Sequence, residues 1–156
     1  MRARYIIRGK RKDGTWLIGN YHYNKKTDIE EFSHIPEHCI FPQNTEFEEL
    51  NYVTHYEVIS KTLGQCTGIF AVKSYRGQTP DDSFVFEADI LRNKKNGTVG
   101  SVEWVGGRWT IAGREYVYAN LHSELAPNTL TLKSDWEIIG NVHDNPELLL
   151  DSEVIL

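Results

Sequence analysis

Cysteine is scarce in this chain of 156 residues, which has only Cys39 and Cys66. One disulfide is the most they can form. With no secretory signal in view, the expectation is two free thiols in a reducing cytoplasm. Residues Met1–Arg8 are basic and carry no apolar stretch, which is not the pattern of a signal peptide. Nowhere do about 18 apolar residues follow one another, so no membrane-spanning helix and no membrane partner are expected. Nucleophile-elbow, Walker and dinucleotide-binding motifs are missing. So are internal repeats and low-complexity tracts. Without a catalytic signature, the expectation is a protein that is not an enzyme and needs no cofactor.

What is present is ordinary for a globular protein: 40% hydrophobic and 25% charged residues, with four Trp and eight Tyr. A chain of this length buries roughly 70% of its unfolded surface, so neither metal nor disulfide is needed for folding. The net charge of −5 conceals blocks of opposite sign. Residues 1–26 carry +7, 27–57 carry −8, 58–114 carry +3 and 115–156 carry −7. Such blocks either neutralise one another across paired strands or present a basic edge to the acidic face of another subunit.

The hydrophobic pattern has the period of strands. Arg4–Arg8 and Thr15–Tyr23 flank an Asp13-Gly14 turn and read as a hairpin. Segment 29–46, broken by Pro36 and Pro42, reads as irregular. A strand is expected from about Asn51 to Ser60. The stretch from Lys61 to Arg92 is the most informative. Its first half, Thr62-Leu63-Gly64-Gln65-Cys66-Thr67-Gly68, reads as a turn or bulge where backbones come close. Its second half alternates Phe84, Phe86, Ala88 and Ile90 against Glu87 and Asp89, as a strand with one wet face does. The polar loop Ser74–Asp82 is expected to be mobile. Further strands are expected over Thr98–Val105, with a bulge at Gly100, over Arg108–Ala112 and over Asp135–Val142. A helical turn falls within 119–128, and a short helix follows Asn145-Pro146. The fold class is therefore all-β: an N-terminal β subdomain (1–60) packed on a small SH3-like (Src-homology-3-like) barrel with a C-terminal helical turn (61–156). The two are expected to form one compact unit with a shared core that encloses the tryptophans.

Three groups of residues could carry chemistry. Glu87 and Asp89, two apart on one strand, would point the same way. That pair suits a divalent cation or acid–base work, or is simply a solvated face. His34, His38 and Cys39 have ligand-like spacing, but Pro36 lies between the histidines and a fourth ligand is wanting. Arg4, Arg8 and Arg11 with Trp16 and Tyr21 combine cations and rings in the manner of a single-strand binder. The acidic composition opposes that reading, and these residues equally suit an edge that resists strand addition.

Several motifs occur in a telling order: Trp16-Leu17-Ile18-Gly19, Thr62–Gly68, Glu87-Ala88-Asp89-Ile90-Leu91, and Ile139-Gly140-Asn141-Val142-His143-Asp144-Asn145-Pro146-Glu147-Leu148-Leu149. In this order the chain resembles the YopX-like proteins of phages and prophages. The resemblance spans most of the chain and implies an all-β fold with no established activity. It draws attention to Gly64, Gln65, Thr67, Gly68, Glu87 and Asp89 as a possible motif site. Ala88 stands where the family usually has Gly. A Gly there serves a positive φ or a close ligand, and Ala does neither cheaply. Residues 69–83 look like an insertion. The expected function is a phage- or prophage-derived interaction module. Its partner would be a second copy of itself or a phage or host protein, with nucleic-acid binding by the N-terminal hairpin as the alternative.

Overall fold

The computed structural model describes residues 6–23, 36–42, 56–77 and 80–151. Among the described residues the protein is built of strands, with one short α-helix and three 3-10 turns, so the all-β class holds. Its contacts divide the chain into two units, Met1–Gln65 and Cys66–Leu156.

In the first unit, β1 (Ile7–Lys10) and β2 (Trp16–Tyr23) form the expected hairpin, with Arg8 opposite Ile18. Gly14 turns it at φ +90°, and Asp13 accepts from the Thr15 amide at 2.9 Å. β3 (His38–Pro42) then pairs antiparallel with β2, and β4 (Tyr56–Glu57) pairs with β3. The sequence reading had this proline-broken segment as irregular. Pro42 is tolerated because it is the last residue of β3, where the ladder ends. Its partner Gly19 makes the close approach possible: a Cβ there would stand 1.9 Å from the Phe41 carbonyl oxygen. Residues 51–55 of the strand expected over 51–60 lie outside the described residues.

β5 (Gly64–Phe70) occupies most of the stretch read as a turn. The irregularity expected there is real but lies later, between Cys66 and Phe70, where Gly68 has φ +78°. The division between the two units falls inside this strand. In the second unit, β5 pairs with β7 (Phe84–Phe86). A six-stranded sheet follows, built of β6 (Lys73–Ser74), β8 (Asp89–Asn93), β9 (Val99–Val105), β10 (Arg108–Ala112), β11 (Val117–Asn120) and β12 (Trp136–Asn141). Its order is β11-β10-β9-β8-β12-β6, and β6 joins β12 in parallel. This order has two ends, and among the described residues no ladder joins β11 to β6. A core of Ile69, Val85, Leu91, Val102, Ile111, Leu121, Leu132 and Ile138 lies in this unit. Trp109 and Trp136 join it, but Trp104 does not and is 56% exposed. The helix α1 (Glu147–Asp151) follows β12.

Two other expectations give way in this unit. Gly100 marks no bulge, since β8 and β9 run in unbroken register past it. Its bareness admits Ile111, whose Cγ2 a Cβ would meet at 2.8 Å. The strand expected through Phe84–Ile90 is two strands with a turn at Glu87-Ala88. Ala88 sits at φ +71°, the left-handed region. Its amide donates to Val102 O and its carbonyl accepts from Val142 N, each at 2.8 Å, so the corner is pinned on both sides. A side chain in that region costs about 1–2 kcal/mol, while a glycine adds about 0.4–1 kcal/mol of unfolded-state entropy. Ala88→Gly should therefore stabilise the protein by about 0.5–1 kcal/mol, read as a higher urea midpoint at unchanged slope. A lower midpoint would show that this backbone is not strained.

Candidate functional site

The turn at Ala88 settles where the two candidate carboxylates go. Parity along an unbroken strand would leave both on one face, but the corner separates them. Glu87 stays half-buried in the turn, while Asp89 opens β8 with no exposure at all. Asp89 is no solvated strand residue. Its Oδ1 accepts from Arg76 Nη1 at 2.8 Å and its Oδ2 from Nη2 at 3.3 Å. Oδ2 also accepts from the Phe86 amide at 2.8 Å. Arg76 Nη2 donates further to the Phe84 carbonyl, and Nε donates to the Asp82 carbonyl at 3.4 Å. The guanidinium carbon lies 5.6 Å from the Phe86 ring centroid and 5.5 Å from that of Tyr75. Burial works to lower the Arg76 pKa, but the Asp89 carboxylate, by charge and by hydrogen bond, more than offsets this and the pKa rises. The cation is locked in.

Asn141 lies directly across the ladder from Asp89 and is equally buried. Its Nδ2 donates to the Tyr75 hydroxyl at 2.9 Å and to Asp144 Oδ2 at 3.1 Å. Its Oδ1 accepts from the amides of His143 and Asp144, each at 3.0 Å. One asparagine thus satisfies the turn after β12 from within. Gly140 beside it carries no side chain because a Cβ would stand 2.6 Å from Asn145 Oδ1 and 2.9 Å from Leu148 Cδ1. That is a physical reason for the Ile-Gly-Asn and Asn-Pro-Glu-Leu-Leu elements: the glycine lets the start of α1 close over the strand end.

Tyr75 and Arg76 belong to the segment expected to be a mobile insertion. The structure instead pins it by a parallel bridge of β6 to β12 and a Tyr75 N–H to Ile138 O bond of 3.0 Å. The buried Asp89 and Asn141 complete the anchorage. Neighbouring sequence alone carried no sign of this, because Arg76 and Asp89 lie thirteen positions apart. Beside β6 runs an open groove of about 850 Å³, lined by Val72, Lys73, Tyr75, Arg92, Ile139 and Leu148 among others. Arg92 and Glu137 face each other across β8 and β12 and pair at 2.9 Å, so the charge blocks do neutralise across strands at this point.

The remaining candidates fall in both units. Gly64 and Gln65 pair with Arg8 and Ile7 in the first unit. In the second unit Thr67 Oγ1 donates to Val85 O at 2.7 Å and accepts from Ile69 N at 3.1 Å, which braces the bulge at Gly68. Of the hairpin residues, Arg4 lies outside the described residues. Arg8 is 3% exposed and holds its guanidinium 5.0 Å from the Trp16 ring centroid, so it is out of a phosphate's reach. Arg11 lies over the Tyr56 ring and 3.6 Å from Asp13. Tyr21 shares a 2.6 Å hydrogen bond with His38 Nδ1. His34 lies outside the described residues. Cys39 is fully buried, and its thiol is pushed up in pKa by that burial. Among the described residues no group of three or more His, Cys, Asp or Glu side chains comes together, and no helix is long and apolar enough to cross a membrane.

Two outcomes test these placements. Arg76→Met strands a buried carboxylate and should cost about 3–5 kcal/mol in chemical denaturation. Adding Asp89→Asn removes that charge, keeps an acceptor for the Phe86 amide, and should return about half of the loss; a double variant no better than the single would show that charge burial is not the cause. Cys39 and Cys66, which form no disulfide and are 0% and 2% exposed, should resist alkylation in the native protein and react only after unfolding, as counted by mass spectrometry.

No curated protein matches the chain. A family model does, that of the YopX protein, over residues 18–150. That span contains the Ala88 corner, the Asp89 and Asn141 anchors and the Gly140 contact, and on this match the chain belongs to the YopX family.

Proposed function

We propose that the protein is a non-enzymatic interaction module of phage or prophage origin. It acts in the cytoplasm and binds protein through the tip of the β9–β10 hairpin. The supporting observation is Trp104, which is 56% exposed beside Val105 at 42%. The chain turns there through Gly106 and Gly107, both at positive φ. Trp104 packs its ring only edge-on to Trp109, with centroids 5.0 Å apart. Leaving an indole this open forgoes on the order of 1–2 kcal/mol of burial. Tryptophan is also the residue type that most often anchors protein interfaces. Two buried polar residues of the second unit are engaged internally: Asp89 by Arg76, and Asn141 by the turn that follows β12.

A second copy of the chain is the partner to test first. Light scattering after gel filtration should find a concentration-dependent dimer at both low and high salt, because an apolar contact is not screened. Trp104→Ala should weaken it by about thirtyfold or more, the scale of an interface anchor, while lowering fold stability by only about 1 kcal/mol, the worth of the ring pair. A monomer at every concentration would rule out self-association. A dimer indifferent to Trp104 would put the interface elsewhere.

A further inference from the structure

The surroundings of the Arg76 guanidinium form a complete recognition set for that one group. The Asp89 carboxylate meets two of its nitrogens side by side, at 2.8 and 3.3 Å. The Phe84 and Asp82 carbonyls take the outward-pointing donors. The rings of Phe86 and Tyr75 lie within 6 Å of the cation, inside cation–π range. The floor is rigid. Asp89 and Phe86 are fully buried, and Asp89 is further fixed by the Phe86 amide. Its occupant is held from the edge of the sheet: Arg76 follows a two-residue edge strand, its side chain retains 15% exposure, and Tyr75 beside it is 48% exposed. A planar fork facing a carboxylate is matched by guanidinium and not by ammonium, which presents a point charge without the paired donors.

We propose that Asp89, the Phe84 carbonyl and the Phe86 ring constitute an arginine-binding site, which Arg76 fills as a tethered ligand and which an arginine side chain presented by a partner protein takes in its place. The site is separate from the Trp104 hairpin and does not depend on that surface binding anything. Because the buried carboxylate must always have a cation beside it, the exchange is of one guanidinium for another, never an empty site. The segment 72–77 is thereby the element that responds to occupancy.

Chemical rescue tests the site directly. Arg76→Ala vacates it and leaves room for a small cation. Melting is followed in about 50 mM guanidinium chloride against equal sodium chloride and ammonium chloride, a concentration at which the denaturing action of guanidinium is slight. A gain of about 3–6 °C with guanidinium alone is expected, with no gain for the wild type. If the variant does not fold in sodium chloride, recovery of its circular dichroism in guanidinium is the same result. In the wild type, millimolar N-acetyl-arginine amide should shift the Arg76 side-chain and Phe86 resonances, and N-acetyl-lysine amide should not. Rescue by all three salts alike, or by none, would overturn the site. A wild type that does not distinguish the two amides would overturn the exchange.

Discussion

A carboxylate with no solvent exposure stays charged only if a cation and hydrogen-bond donors surround it, and the second unit is arranged to meet that demand at Asp89. The residue is delivered to the interior by the backbone: a corner at Ala88 turns the chain from β7 into β8 and puts the next side chain inside. Once there it requires Arg76. That requirement ties the segment after β5 down to the sheet, although the segment has few apolar side chains of its own to bury and leaves Val72 and Tyr75 largely in solvent. Mutual attraction of the two charges does not make this a strong source of net stability, since desolvation takes back most of it. Its consequence is specificity: the placement of residues 72–77 seen here is the one in which the chain's own Arg76 satisfies the buried charge.

The same logic repeats across the same rung of the ladder. Asn141, opposite Asp89, donates from its amide nitrogen to Tyr75 and to Asp144 and accepts at its oxygen from two backbone amides of the following turn. A neutral residue suffices there because the partners are dipoles. The two anchors thus hold adjacent residues, Tyr75 and Arg76, and bind the strand edge and the turn after β12 to a single point. Gly140 completes the arrangement by leaving the space into which Asn145 and Leu148 fit.

How much of this was legible depended on range. Hairpins are written locally, so Asp13-Gly14 announced β1–β2, and Asn145-Pro146 announced α1. The strands that went unseen are β3, β5, β6 and β11. β3 and β6 owe their extended form to a neighbour and not to their own pattern: β3 to the bare backbone at Gly19, β6 to β12. The site was half legible. Resemblance drew attention to Asp89, and the family's usual glycine at position 88 pointed to a positive φ that the alanine was read as unable to adopt cheaply, though Ala88 does adopt it. Period-two reasoning then placed Asp89 on a wet face, because a single residue in the left-handed region reverses the parity of all that follows. Its partner Arg76 lay in the stretch that composition marks as loose, and no local rule connects the two.

The tryptophans separate what the fold requires from what it does not. Trp136 is 3% exposed and its ring nitrogen meets no acceptor among the described residues, so its enclosure is worth more than a buried hydrogen bond forgone, about 1–3 kcal/mol. Trp104, across the ladder from Trp109, shares the sheet face that builds the core but lies one strand end too far out to reach it. Four residues at that tip, Trp104 to Gly107, are all exposed. A charged or polar residue would hold the turn equally well, since Gly106 and Gly107 supply its backbone geometry. An indole at this position adds little to the stability of the isolated chain beyond one edge-on ring contact. Its apolar area can be withdrawn from water only by a surface that the described residues do not place there, which is the physical ground for reading the hairpin tip as the contact face.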